Sequence, residues 1–164
     1  MEAVRRAGPD DVPELERLAD LARAELAVER GGRMWRLLHG RPDPLDATVA
    51  ADLTEAGEGA GVVLLGTYDE VPAGYAVAHL EHLPDGSRMA VLGDVYVEPG
   101  FRDVGLGAAL IEHAMEWAAE NGCRGIDSLV LPGMRASKNF FERFGLTARA
   151  ILVHRDLEPP DPAP

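Results

Sequence analysis

The apolar positions of the chain change period several times, and each change marks an element. In "GPDDVPELERLADLARAEL", Leu15, Leu18, Ala22 and Leu26 share one helical face, and Asp11 stands three residues before Glu14, the spacing of a capping box. This predicts a first amphipathic helix. Gly31 and Gly32 end it, a short helical piece follows, and Pro42 and Pro44 break the chain again. A third helix is predicted from about Pro44 to Ala56, closed by "GEGAG". The period then falls to two. "GVVLLGTYDEVPAGYAVAHLEHL" reads as two strands joined by a turn at "DEVPAG", and "MAVLGDVYVEP", after the turn "LPDGSR", reads as a third. Three strands linked by short turns make an antiparallel meander.

From Gly105 to Asn121 the helical period returns, with Leu106, Leu110, Ala114 and Trp117 on one face and Asn121-Gly122 as a C-cap. "RGIDSLVL" is predicted as a strand, "MRASKNFFERFG" as a short helix and "TARAILVHRDL" as a last strand. Residues 1–157 are expected to form one domain, and the proline-rich tail, residues 158–164, to be disordered.

Composition narrows the function classes. The chain has 164 residues, 46% hydrophobic and 27% charged, as in ordinary globular proteins. No apolar run reaches the roughly 20 residues of a membrane span, and "MEAVRRAGPDDVPE" lacks the apolar stretch of a signal peptide, so a cytoplasmic location is expected. The net charge of −12 argues against nucleic acid or an anionic membrane as partner and favours a cationic ligand. Cys123 is the only cysteine, which excludes an intramolecular disulfide and a cysteine-rich zinc site, and no other spacing suggests a metal. Its place at a strand start suits packing.

The chemistry gathers at "VEPGFRDVGLGAALIEHA", where Gly105 and Gly107 open a helix although each costs about 1 kcal/mol there against alanine. A helix start presents unpaired N–H groups and a partial positive charge, and a turn without side chains lets a phosphate reach them. A Walker loop is excluded because no lysine follows the glycines. A dinucleotide fingerprint would need glycine where Leu110 stands, although Asp127 lies at a suitable distance. Close packing of helix on sheet is the other reason a chain places glycine here.

With Arg102, Gly105 and Gly107 after the strand end Val95-x-Val97, this stretch resembles the coenzyme-A-binding motif of the GNAT superfamily of N-acetyltransferases. "FFERFGLTARAILVHRDL" is similar to the family's closing signature, so that the resemblance runs from about residue 3 to 157. It implies a mixed, mostly antiparallel α/β sheet with helices on both faces, and acetyl-CoA as acyl donor with no metal. It also implies that Val95, Tyr96 and Val97 offer a backbone edge to the pantetheine arm. Asp103, Val104, Gly105, Leu106, Gly107 and Ala108 would cradle the pyrophosphate. At least one of Arg135 and Lys138, on the short helix after the fifth strand, is expected to contact a coenzyme phosphate.

Three polar positions of the family are apolar in this chain. Its acid tyrosine corresponds to Phe141, expected to pack near the coenzyme sulfur instead, an asparagine to Met134, and a strand glutamate to Leu129. Asp94 then becomes the candidate base, sharing a strand face with Tyr96 unless a bulge intervenes; it is otherwise a solvated strand residue. Glu81, with His79 on its face and His82 on the other, and Ser137, one turn before Phe141, are further candidates. Arg30, Arg33, Arg36 and Arg41 around Trp35 read either as a lid over the acceptor pocket or as a solvated helix. Two functions stay open: transfer of an acetyl group to a primary amine of a small molecule or peptide, and a silent acyl-CoA-binding module. The resemblance also allows a homodimer.

Overall fold

The computed structural model describes residues 1–158. The chain runs β1 (Glu2–Arg6), a turn of 3-10 helix (Pro9–Asp11), α1 (Val12–Ala27), α2 (Gly32–Leu38), α3 (Leu45–Gly57), β2 (Gly61–Tyr68), β3 (Val71–His82) and β4 (Arg88–Val97). A second 3-10 turn (Pro99–Phe101) leads to α4 (Leu106–Glu120), β5 (Cys123–Ser128) and α5 (Arg135–Arg143). The strands lie in the order β1-β2-β3-β4-β5, antiparallel except for the last pair, which is parallel.

Strand alternation sorts the core into two layers. Val63, Leu65, Tyr75, Val77 and Tyr96 point towards α1 and α3 and meet Leu15, Leu18 and Val49. Leu64, Ala76, Ala78 and Leu92 point the other way, onto Leu106, Leu110, Ile111 and Trp117 of α4. A mixed sheet with helices on both faces is therefore the fold, as the resemblance implied. No helix among the described residues is long and apolar enough to cross a membrane.

Four local expectations change. The strand β1 was not legible, because of its five residues only Val4 is even partly buried; pairing with β2, not its own pattern, makes it a strand. Asp11 does not form a capping box with Glu14. Its carboxylate instead accepts from the Gly8 amide at 2.8 Å and from Arg5 at 2.6 and 2.7 Å, closing the turn before α1. The turn expected at "DEVPAG" contracts to Asp69 and Glu70, whose φ angles of 47° and 67° give a two-residue hairpin loop with the twist of its strands, so that Val71 to Gly74 join β3.

The predicted last strand is the fourth. The segment "TARAILVHRDL" pairs with no strand, and Ile151, Leu152 and Val153 are 84–86% exposed. Arg149 is bound to Asp127 on β5, and Arg33 of α2 lies 3.2 Å from Asp156. The segment is thus fastened near both ends by exposed ion pairs and has no strand partner along its middle among the described residues. Alternation reports local propensity, but a strand also needs a neighbour. The expectation for the proline-rich tail falls mainly on residues 159–164, outside the described residues.

Candidate functional site

The cleft of interest opens where β4 leaves β5. Their pairing ends at Leu92 with Ser128, and Gly93 is an extra residue: Val77 of β3 faces Asp94 while Ala78 faces Leu92. Beyond this bulge no strand among the described residues lies beside β4 on its β5 side. The Glu98 amide donates to Ala73 on β3 at 2.9 Å, and backbone groups alternate along a strand. Val95 and Val97 therefore turn their N–H and C=O groups into the cleft. Tyr96, expected to share that role, turns its backbone towards β3 and its side chain into the α1–α3 core.

Arg102 takes one of those groups for itself. Its Nε donates to the Val97 carbonyl at 2.9 Å, and its Nη2 donates to the Glu25 carboxylate at 2.6 Å, with the guanidinium 5.7 Å from the Tyr96 ring centroid. Arg102 thus ties the end of β4 to α1. Among the described residues nothing takes the backbone groups of Val95.

At the start of α4, Gly105 is the N-cap with φ of +89°, a conformation that costs an L-residue about 1–2 kcal/mol. Gly107 has a different reason: a Cβ there would stand 3.3 Å from Phe140 Cζ and 3.7 Å from Val97 Cγ2. The two glycines answer a backbone demand and a packing demand, and together they leave the helix start bare. Ala109 is the first residue whose amide bonds back, to the Gly105 carbonyl, and among the described residues no side chain caps the end. Leu106 and Val104 direct their side chains to the core, whereas Asp103 is exposed and Ala108 half-buried.

The Glu2 side chain approaches this end, with Oε1 3.6 Å from where a Gly105 Cβ would stand. A carboxylate there stabilises the helix start but repels a phosphate. If the start of α4 takes the coenzyme pyrophosphate as the resemblance implies, Glu2→Gln is expected to tighten CoA binding about two- to fivefold at low ionic strength, an advantage that 1 M salt removes, as read by calorimetry.

On the far side of the cleft, Phe141 is buried in the α4-side core and Phe140 lies edge-on to both Phe141 and Phe144. Ser137 is half-buried one turn earlier, and Leu129 is exposed just past the end of β5. Lys138 donates to Glu142 at 2.7 Å, so its charge is shared within α5. Arg135 is exposed and makes no ion pair among the described residues. Burial pushes the Cys123 thiol up, against a nucleophilic thiolate.

On the opposite face of the sheet, Asp94 and Tyr96 do share a side, with the bulge before them rather than between. Asp94 is not a solvated strand residue. Arg41, from the loop between α2 and α3, donates from Nε at 2.7 Å and from Nη2 to Asp94 Oδ2. The same Nη2 lies 2.6 Å from Asp52 Oδ2 on α3, too poorly directed for a hydrogen bond but an ion pair. Burial pushes the Asp52 carboxyl above the usual carboxylate range despite Arg41, and pushes the Tyr75 phenol well up. Burial works against the Arg41 charge as well, but Asp94, Tyr75 and Asp52 more than restore it.

The arginine group around Trp35 is thereby divided. Arg41 turns inward, Arg33 pairs with Asp156, Trp35 is half-buried, and Leu37 and Leu38 of α2 are exposed. Glu81 is not brought to Asp94. It lies on β3 four residues beyond Val77, about 13 Å along the strand, exposed and 3.8 Å from His79. Asp52 was missed although its signal was present: it follows buried Leu45 and Val49 at helical spacing, an acid on an apolar stripe.

An unpaired strand edge beside a helix start without a side-chain cap, on a mixed sheet covered by helices, is the arrangement that the resemblance to the GNAT acetyltransferases implied. The sequence pattern of the Acetyltransferase (GNAT) family matches residues 17–146, and the chain belongs to that family. No curated protein matches the chain. Among solved structures it is similar to AAC(6′)-Iy in complex with the bisubstrate analogue CoA-S-monomethyl-acetylneamine, with 21% identity over 95% of this chain and 99% of that one and a TM-score of 0.69. Glucosamine-6-phosphate N-acetyltransferase from Arabidopsis thaliana is 16% identical over 96% and 99%, with a TM-score of 0.68. A tetramutant of the BH1408 protein from Bacillus halodurans is 19% identical over 94% and 99%, with a TM-score of 0.76.

Proposed function

We propose that this acetyltransferase binds acetyl-CoA in the cleft between β4 and β5 and transfers the acetyl group to a primary amine of a small molecule or peptide. The observation that carries the reading is the juxtaposition of an uncapped α4 start with the open backbone groups of Val95. The two features suit the two ends of one elongated ligand. The amides of Leu106, Gly107 and Ala108 hold the pyrophosphate, and the Val95 N–H and C=O pair with the pantetheine arm. When bound, acetyl-CoA supplies an acyl group activated as a thioester.

The chain's own residues then handle the amine. Asp94 faces the α1–α3 side with a carboxylate able to attract an ammonium and accept its proton. Phe141 has no proton to give the departing thiolate, but a thiol with a pKa of about 8.5 leaves without one, at a rate penalty of about 10² to 10⁴. That the AAC(6′)-Iy ligand joins CoA to an acetylated amine, and that the plant enzyme's name specifies N-acetylation, support an amine acceptor. The net charge of −12 supports a cationic one. Amine-dependent release of thiol from acetyl-CoA tests the proposal.

A further inference from the structure

The charge cluster beneath the β4 bulge uses its atoms unequally. Both contacts from Arg41 reach Asp94 at Oδ2, and Oδ1 has no donor among the described residues, while the side chain keeps 19% exposure. The guanidinium is otherwise occupied: Nη2 also faces Asp52, and Nη1 donates to Thr48 Oγ1 at 3.3 Å. The loop that carries Arg41 is itself held, because Arg23 of α1 donates to the Arg41 carbonyl at 3.3 Å and to Asp43 at 2.9 Å. A carboxylate gripped at one oxygen by two nitrogens of a rigid fork cannot swing, and it presents its other oxygen in one direction.

We propose that Arg41 is a positioning residue that fixes Asp94 so that Oδ1 receives the N–H of the acceptor amine, with Asp52 holding the guanidinium from the α3 side. The proposal deepens, and rests on, the amine-transfer reading. Its electrostatics follow from the groups that surround Asp94. Arg41 comes from the α2–α3 loop, Asp52 with Glu55 behind it from α3, Tyr75 from β3, and Tyr96 from β4, backed by Arg102 and by Glu25 of α1. Arg41 is the cation in contact with both carboxylates. Taking it away leaves Asp94 and Asp52 facing each other with no cation between them, and frees Asp94 to turn.

The test is steady-state kinetics with a cationic primary amine in wild type, R41Q and R41K, beside calorimetry with CoA and thermal unfolding. R41Q is expected to lower kcat at least about tenfold with CoA affinity unchanged. R41K keeps the charge but not the two-nitrogen fork, and is expected to recover KM for the amine but not kcat. A purely structural role would instead make kcat follow the thermal midpoint, with no split between kcat and KM. If folded R41Q keeps the wild-type kcat, or R41K restores kcat in full, the role of Arg41 is overturned; R41K keeps this readable if R41Q fails to fold. A protein that binds CoA and acetylates no amine would overturn the transfer reading instead, and with it the assignment of Oδ1 to an acceptor.

Discussion

Gly105→Val is expected to cost the protein stability and CoA binding by two separable routes. At φ of +89° a valine is strained even though the nearest atom to its Cβ, Glu2 Oε1, is 3.6 Å away and leaves room. The strain is about 2 kcal/mol for a β-branched residue, which lowers the thermal midpoint by about 4–8 °C in a chain of this length. The isopropyl group also covers the amides of Leu106 and Gly107, where a phosphate must approach, so CoA affinity falls at least about tenfold. Gly105→Asn separates the two, because asparagine tolerates the left-handed region and recovers most of the stability while its side chain still crowds the amides. Thermal unfolding and calorimetry with CoA are the measurements. A folded valine variant that binds CoA like the wild type would remove the phosphate site from the start of α4.

Asp94→Asn is expected to lower kcat about 10²- to 10⁴-fold and to raise KM for a cationic amine, with the rise in KM smaller for a neutral acceptor. Asparagine has the size of aspartate, so the change removes charge and basicity rather than volume. It also leaves Arg41 paired with Asp52 alone, and thermal unfolding of the variant separates that loss from the catalytic one. Steady-state kinetics that keep both parameters for every active amine would take Asp94 out of the reaction.

The parts of this protein legible in its sequence are those with strong internal periodicity. Leu15, Leu18 and Ala22 fixed the buried face of α1, and Leu106, Leu110, Ala114 and Trp117 that of α4, because one amphipathic stripe suffices to orient a helix. Elements defined by pairing were less visible. The five residues of β1 carry no stripe, and residues 147–157 carry a strand-like pattern without a neighbour.

The site divides in the same way. The glycine turn could be located because a poor helix former at a helix start requires a local cause, but its two glycines have distinct causes that only φ at Gly105 and the approach of Phe140 to Gly107 disclose. Arg102 lies in the motif, yet its pairing with Glu25 depends on α1 folding over the end of β4. Arg41, Asp52 and Asp94 are far apart in the chain. A long-range charge cluster leaves only a faint trace in sequence, here an aspartate on an otherwise apolar face of α3.

The measurement that bears most directly on the whole account is the release of free thiol from acetyl-CoA in the presence of a panel of primary amines, cationic and neutral. The predicted result is release that exceeds hydrolysis, saturates with amine, matches the acetylated amine one for one, and disappears in a variant that no longer binds CoA. CoA binding that depends on the α4 turn, with no amine raising the rate of thiol release, would contradict it and leave the chain as a binding module without transfer.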